Sequence, residues 1–129
     1  MNEKVIKVLT DNLWDVATMN ENEVNVVPMG FKTVTPDGKL LIGDIFMETT
    51  VNNVKANGKI SIAACDPKTT EGYQVKGTAV YVTEGPVLDS MVEAAKKVFP
   101  NPVVVKGVVV ITPEKVIVTT PGPDNKKEL

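Results

Sequence analysis

Two adjacent threonines, Thr49 and Thr50, follow an apolar stretch that ends at Phe46-Met47, and they open a segment, Thr50–Asn57, with helical spacing. The first backbone N–H groups of a helix have no partner within it and carry partial positive charge. Hydroxyls placed beside those free amides either cap the helix or help to hold a phosphate. Caps are common and phosphate sites rare, so the local pattern alone favours a cap. Few other residues have chemistry to offer. The chain has no histidine, and all 14 of its basic residues are lysines. Without histidine there is no Ser-His-Asp or Cys-His nucleophile and no imidazole metal ligand. Without arginine there is no bidentate clamp for a carboxylate or phosphate. Cys65 is the single cysteine, so no intrachain disulfide or all-cysteine metal site forms. Cys65 reads as a small residue at a strand end, and no metal site is expected. Asp44 is an isolated acid at a hairpin end. Redox or transfer chemistry on this chain therefore needs a bound cofactor.

The elements that must position these residues follow from composition and periodicity. At 129 residues, 43% hydrophobic and 23% charged, the chain is expected to be one domain, 1–129, with a substantial core. A net charge of −2 offers no field for nucleic acid or anionic lipid. No apolar run is long enough to span a bilayer, and Met1-Asn2-Glu3-Lys4 lacks a signal-peptide pattern, so a cytoplasmic location is expected.

Asn2–Asn12 has an amphipathic helical pattern, with Val5, Ile6, Val8 and Leu9 on one face. Leu13–Met19 alternates as a strand. Val24–Val34 reads as a long strand interrupted by Pro28 and Gly30, which mark an edge or bulge where a ligand or another backbone comes close. A turn at Thr35-Pro36-Asp37-Gly38 leads to a strand over Lys39–Phe46. After the short helix, Gly58 is the expected C-terminal glycine. Strands follow at Lys59–Ala64 and Tyr73–Val82, then a helix at Val87–Phe99 whose apolar stripe reads as core. The valine run Val103–Ile111 predicts a further strand, Thr112–Lys115 a turn, and Pro121–Leu129 a mobile tail. About seven short antiparallel strands with three helices predict a mostly β fold, a closed or nearly closed barrel with helices outside.

Several segments in this order resemble a known family. They are Val26-Val27-Pro28-Met29-Gly30-Phe31-Lys32, then Leu41-Ile42-Gly43-Asp44-Ile45-Phe46-Met47-Glu48-Thr49-Thr50-Val51-Asn52-Asn53-Val54, then Gly72-Tyr73-Gln74-Val75-Lys76-Gly77-Thr78-Ala79, and Thr120-Pro121-Gly122-Pro123. The chain is similar over nearly its whole length to the pyridoxamine 5′-phosphate oxidase-like flavoproteins, in particular the small clostridial and archaeal members. The resemblance implies an antiparallel split barrel of six to seven strands that forms a homodimer, with FMN in clefts at the interface. It places Val27, Pro28, Met29 and Gly30, together with Gly43, Asp44, Ile45, Phe46 and Met47, along the flavin ring and ribityl chain. It places the phosphate at Thr49 and Thr50. Gln74, which alternates to the face opposite Tyr73, is a candidate donor to a flavin oxygen or phosphate across the interface.

The chain departs from that family in two respects. Thr49 stands where many relatives carry lysine, removing a positive charge from beside the phosphate, unless Lys55 or Lys76 substitutes. Arginine and histidine, which true pyridoxamine phosphate oxidases use to hold the substrate phosphate, are absent, so that activity is not expected. The resemblance therefore implies a flavoprotein acting as an oxidoreductase or electron carrier on an unidentified small molecule. The alternative is a split-barrel ligand-binding or sensor protein that has lost FMN and catalysis.

Overall fold

The computed structural model describes residues Met1–Leu129. Helix α1 (Glu3–Asp11) begins where the Asn2 side chain accepts the Val5 N–H at 3.0 Å, satisfying one of the unpaired donors of a helix start. It buries Val5, Val8 and Leu9. Its far end is closed by donors from outside the helix. The Lys32 ammonium donates to the Leu9 and Thr10 carbonyls at 2.8 and 3.1 Å, and the Trp14 indole donates to Leu9 at 2.7 Å. A cation at a helix C-terminus opposes the helix dipole. Burial holds the Lys32 pKa below the ordinary lysine value, and Asp11 acts in the other direction.

Seven strands follow: β1 (Trp14–Met19), β2 (Val24–Met29), β3 (Lys32–Val34), β4 (Leu40–Asp44), β5 (Lys59–Cys65), β6 (Gly72–Val82) and β7 (Gly107–Val118). Helix α2 (Thr49–Asn57) lies between β4 and β5, and α3 (Pro86–Val98) between β6 and β7. All pairings are antiparallel, in the order β2-β1-β5-β6-β7-β4-β3. The two edge strands, β2 and β3, are neighbours in the chain, joined through Gly30 and Phe31. The sheet thus curls into a half-open antiparallel barrel, the split-barrel architecture expected from the sequence.

Each strand boundary that differs from expectation has a local cause. The long strand predicted over Val24–Val34 is two, because the chain bends at Gly30-Phe31 and leaves the β1 ladder for that of β4. The valine run enters β7 only at Gly107, and residues 103–106 are irregular. The turn predicted at Thr112–Lys115 lies within β7. There Lys76 pairs with Lys115 but Gly77 pairs with Pro113, so Glu114 is the extra residue of a bulge. A bulge tolerates a proline that a regular ladder does not. Residues 121–129 fold back along β7: Lys126 donates to Val118 O at 2.8 Å and Leu129 to Val116 O at 2.8 Å.

Two apolar clusters hold the sheet. The larger fills the concave side and joins α1 and Val54 of α2 to Trp14, Val16, Leu40, Ile42, Ile62, Val75, Val109 and Ile111. The smaller places Met91 and Ala95 of α3 against Leu41, Val105 and Val108. Strand β4 is therefore covered on both faces, and all five of its residues are buried. That makes its end a rigid base for the segment that follows.

Candidate functional site

Beyond Asp44 the chain leaves the sheet, and its next residues form one wall of a cleft of about 700 Å³. Asn25, Val27, Pro28, Met29, Gly30 and Phe31 come from β2 and the bend after it. Ile42, Gly43, Ile45, Phe46, Met47 and Glu48 come from β4 and its exit, Thr49 and Thr50 from α2, and Val98, Phe99 and Val103 from the end of α3 and just beyond. Phe31 and Phe99 meet edge to face, with ring centroids 5.4 Å apart. A side chain at Gly43 would run into the Phe31 ring, so the glycine lets that ring lie flat on β4.

The structure thus brings together Val27, Pro28, Met29, Gly30, Gly43, Ile45, Phe46, Met47, Thr49 and Thr50 from the residues singled out in the sequence. Asp44 and Gln74 do not line the cleft. The Gln74 amide donates to Ser61 Oγ at 3.2 Å, between β5 and β6. Trp14, Tyr73 and Tyr81, the aromatic residues with most surface to stack on a ring, also face elsewhere. Sequence reasoning missed Asn25, Phe31, Ile42, Glu48, Val98, Phe99 and Val103. The end of the α3 stripe was read as core, yet Val98 is 63% exposed; helical periodicity identifies an apolar face but not what covers it.

The polar end of the cleft is the start of α2. Thr49 and Thr50 are its first two residues, and the N-cap position falls to Glu48, whose side chain makes no capping bond. The threonine cap suggested by the local sequence does not form. The amides of Thr49, Thr50 and Val51 donate to no group of the chain. Thr50 is 3% exposed, and its hydroxyl oxygen has only the Asn25 amide, at a long 3.5 Å. The rest of α2 is well tied. Asn53 donates to Thr18 Oγ1 at 3.0 Å, Asn57 donates to Met19 O at 2.8 Å, and Gly58 ends the helix at φ 68°. The helix is fixed along its body while its N-terminus is left open.

No lysine lines this end. The Lys55 ammonium sits 5.2 Å from the centroid of the Tyr81 ring, Lys76 is exposed on β6, and Lys106 lies behind the cleft wall. Glu48 is the single charged residue of the lining, and it has no ion-pair partner. The donor set fits a phosphoryl group through hydrogen bonds and helix polarity, without a formal counter-charge. The apolar walls fit a flat ring system.

Asp44 does its work behind the wall. It is 2% exposed. One carboxylate oxygen accepts the Met47 N–H at 2.9 Å, and the other accepts the Tyr81 hydroxyl at 2.5 Å. The Lys106 ammonium is 3.8 Å away. Burial, reinforced by that bond to Asp44, pushes the Tyr81 phenol up to about 12. Tyr73 is likewise pushed up to about 12, by burial and by its 2.6 Å bond to Glu71.

Known proteins share this sequence pattern and fold. A model of the pyridoxamine 5′-phosphate oxidase family matches residues 6–122. An uncharacterised protein of Methanocaldococcus jannaschii is 33% identical over 98% of this chain and 86% of its own length. Among solved structures, HupZ of Group A Streptococcus superposes with a TM-score of 0.85 at 25% identity, covering 96% of this chain and 98% of HupZ. An FMN-binding protein from Syntrophomonas wolfei superposes with a TM-score of 0.82 at 18% identity, covering 94% of this chain and 87% of that one. The half-open barrel and the near full-length family match lead to one assignment: this chain belongs to the pyridoxamine 5′-phosphate oxidase family and has its split-barrel fold.

Proposed function

We propose that this protein is a homodimeric FMN-binding flavoprotein acting as an oxidoreductase or electron carrier. One observation carries the reading: the open N-terminus of α2, with three unpartnered amides and two threonine hydroxyls, faces a cleft whose other walls are apolar. Thr49, Thr50 and Asn25 hold the phosphate. Val27, Pro28, Met29, Ile45 and Phe46 line the ring and exclude water from one side of it. Bound FMN supplies reversible electron transfer, which this chain's own side chains cannot perform.

The dimer is supported by the apolar surface beside the cleft. Phe46 is 93% exposed, Val98 63% and Val26 65%, a concentration of large apolar groups that marks an interaction surface on a soluble domain. Gln74 is remote from its own chain's cleft, so its expected contact with the flavin is made in the cleft of a second copy. Oxidation of pyridoxamine 5′-phosphate is set aside: no arginine, histidine or lysine lines the cleft to hold a second phosphate.

The test is the absorption spectrum of the purified protein, followed by titration with FMN while its mass in solution is measured. A flavin spectrum, or saturable uptake of FMN by a dimer, is expected. A folded, colourless protein that takes up no FMN overturns the reading. The lone Glu48 charge on the lining favours that second outcome, in which the barrel serves as a ligand-binding or sensor module without FMN.

A further inference from the structure

We propose that Asp44 is the positioning residue of this cleft, setting the geometry of the wall 45–50 from behind without touching the ligand. The inference rests on reading the cleft as a flavin site, but its structural half stands independently of that reading.

Asp44 follows Leu40 and Ile42 along the concave side of β4, and it is the last residue of a strand buried on both faces. A carboxylate buried to this degree needs partners for its lone pairs. It finds them on three segments: the cleft wall, the end of β6 and the approach to β7. The Met47 amide, at 2.9 Å, belongs to the cleft wall. The Tyr81 hydroxyl, at 2.5 Å, comes from the end of β6. Lys106 comes from the approach to β7, where its backbone N–H donates to the Asp44 carbonyl at 2.8 Å. Its ammonium reaches the Met47 carbonyl at 3.4 Å as well as the Asp44 carboxylate at 3.8 Å. Met47 is thus held at both its N–H and its C=O by the same small network.

Tyr81 extends the network to the helix. Its ring carries the Lys55 ammonium of α2 at 5.2 Å and lies against Gly107, where any side chain would collide with it. The ring is therefore wedged between α2 and β7, and its hydroxyl fixes Asp44. Between Asp44 and Thr49 the wall has no side-chain hydrogen bond to the rest of the chain other than those made at Met47. The body of α2 is held by Asn53 and Asn57, and Met47 is the point at which the wall leading into its open start is fixed.

The experiment compares Asp44→Ala, Asp44→Asn and Tyr81→Phe with the unaltered protein in FMN affinity and in amide hydrogen exchange across residues 45–51. Asp44→Ala is expected to weaken FMN on the order of tenfold, the scale of one charge-assisted hydrogen bond, and to speed exchange in 45–51 selectively. Asp44→Asn, which keeps an acceptor for the Met47 amide, is expected to recover most of both. Tyr81→Phe, which leaves the ring wedge in place, is expected to give an intermediate effect and also covers the case in which Asp44→Ala does not fold. Unchanged exchange in 45–51, or faster exchange spread evenly over the protein, in the variants that fold overturns the positioning role. If the unaltered protein takes up no FMN, the flavin reading fails, and the exchange pattern still decides the role of Asp44.

Discussion

The two ends of the segment from Asp44 to Thr50 are opposites. At Asp44 every polar group is paired: a buried carboxylate meets an amide, a phenol and an ammonium. Six residues on, at the start of α2, the amides of Thr49, Thr50 and Val51 have no partner in the chain, both threonines line the cleft, and the charged residue beside them is the unpaired Glu48. The paired end fixes the chain, and the open end is available to a ligand. A protein gains little from satisfying donors that a ligand is to satisfy, whereas the attachment that aims them must be complete within the chain.

The contrast is broken most severely from the paired end. Asp44→Ala leaves the Met47 amide and the Tyr81 hydroxyl without their acceptor in a buried place, so a loss of roughly 2–4 kcal/mol of stability is expected in urea unfolding. A loss below about 1 kcal/mol would show that this end is not saturated by Asp44. The same end has a signature in pH. Tyr81 and Tyr73 are both pushed up to about 12 from the ordinary 10. The folded state then holds protons that the unfolded state gives up, so the stability tied to these phenols is complete below pH about 10 and is lost as pH rises towards about 12. Phenolate absorbance is expected to show two late titrations, and Tyr81→Phe to remove one of them. A normal tyrosine titration would contradict the buried Asp44 contact.

The open end responds in ligand affinity. Thr50→Ala is expected to weaken FMN by roughly 1–3 kcal/mol with little change in the fold; equal affinity would remove Thr50 from the phosphate site. Thr49→Lys has the smallest effect and the most specific sign. It is expected to tighten FMN by about 0.5–1 kcal/mol, less at high salt because the charge is at the rim. Weaker binding, or a gain indifferent to salt, would mean that the phosphate lies elsewhere.

Much of this molecule is readable in its residues. The alternation of Tyr73, Val75, Ala79 and Tyr81 against Gln74, Lys76, Thr78 and Val80 is the alternation of β6, because a strand turns successive side chains to opposite faces. Gly58 ends α2 in the left-handed region that glycine favours. The ten cleft-lining residues named beforehand come from two short stretches, where pattern and resemblance act locally. The failures lie where the answer depends on distant chain. Pro113 is a turn by local chemistry but a bulge in β7, because β6 supplies a partner strand on either side of it. Val98 belongs to an apolar helix stripe, yet it is exposed beside the cleft while Ala95 and Phe99 on either side of it pack against the smaller cluster.

Asp44 separates the two kinds of knowledge most clearly. The sequence by itself determined a mostly β fold of antiparallel strands closing towards a barrel, with the split form implied by the family resemblance, and a short helix opening near two threonines. It also determined that any redox chemistry needs a cofactor, since histidine and arginine are missing. Periodicity, turn residues and composition are local or additive quantities, so they survive without coordinates. Only the tertiary structure decided that Asp44 faces away from the cleft, that neither threonine caps α2, and that no lysine reaches the open amides. The placement of Asp44 turns on which partners come within reach, and these are Tyr81 at the end of β6 and Lys106 just before β7, both distant along the chain.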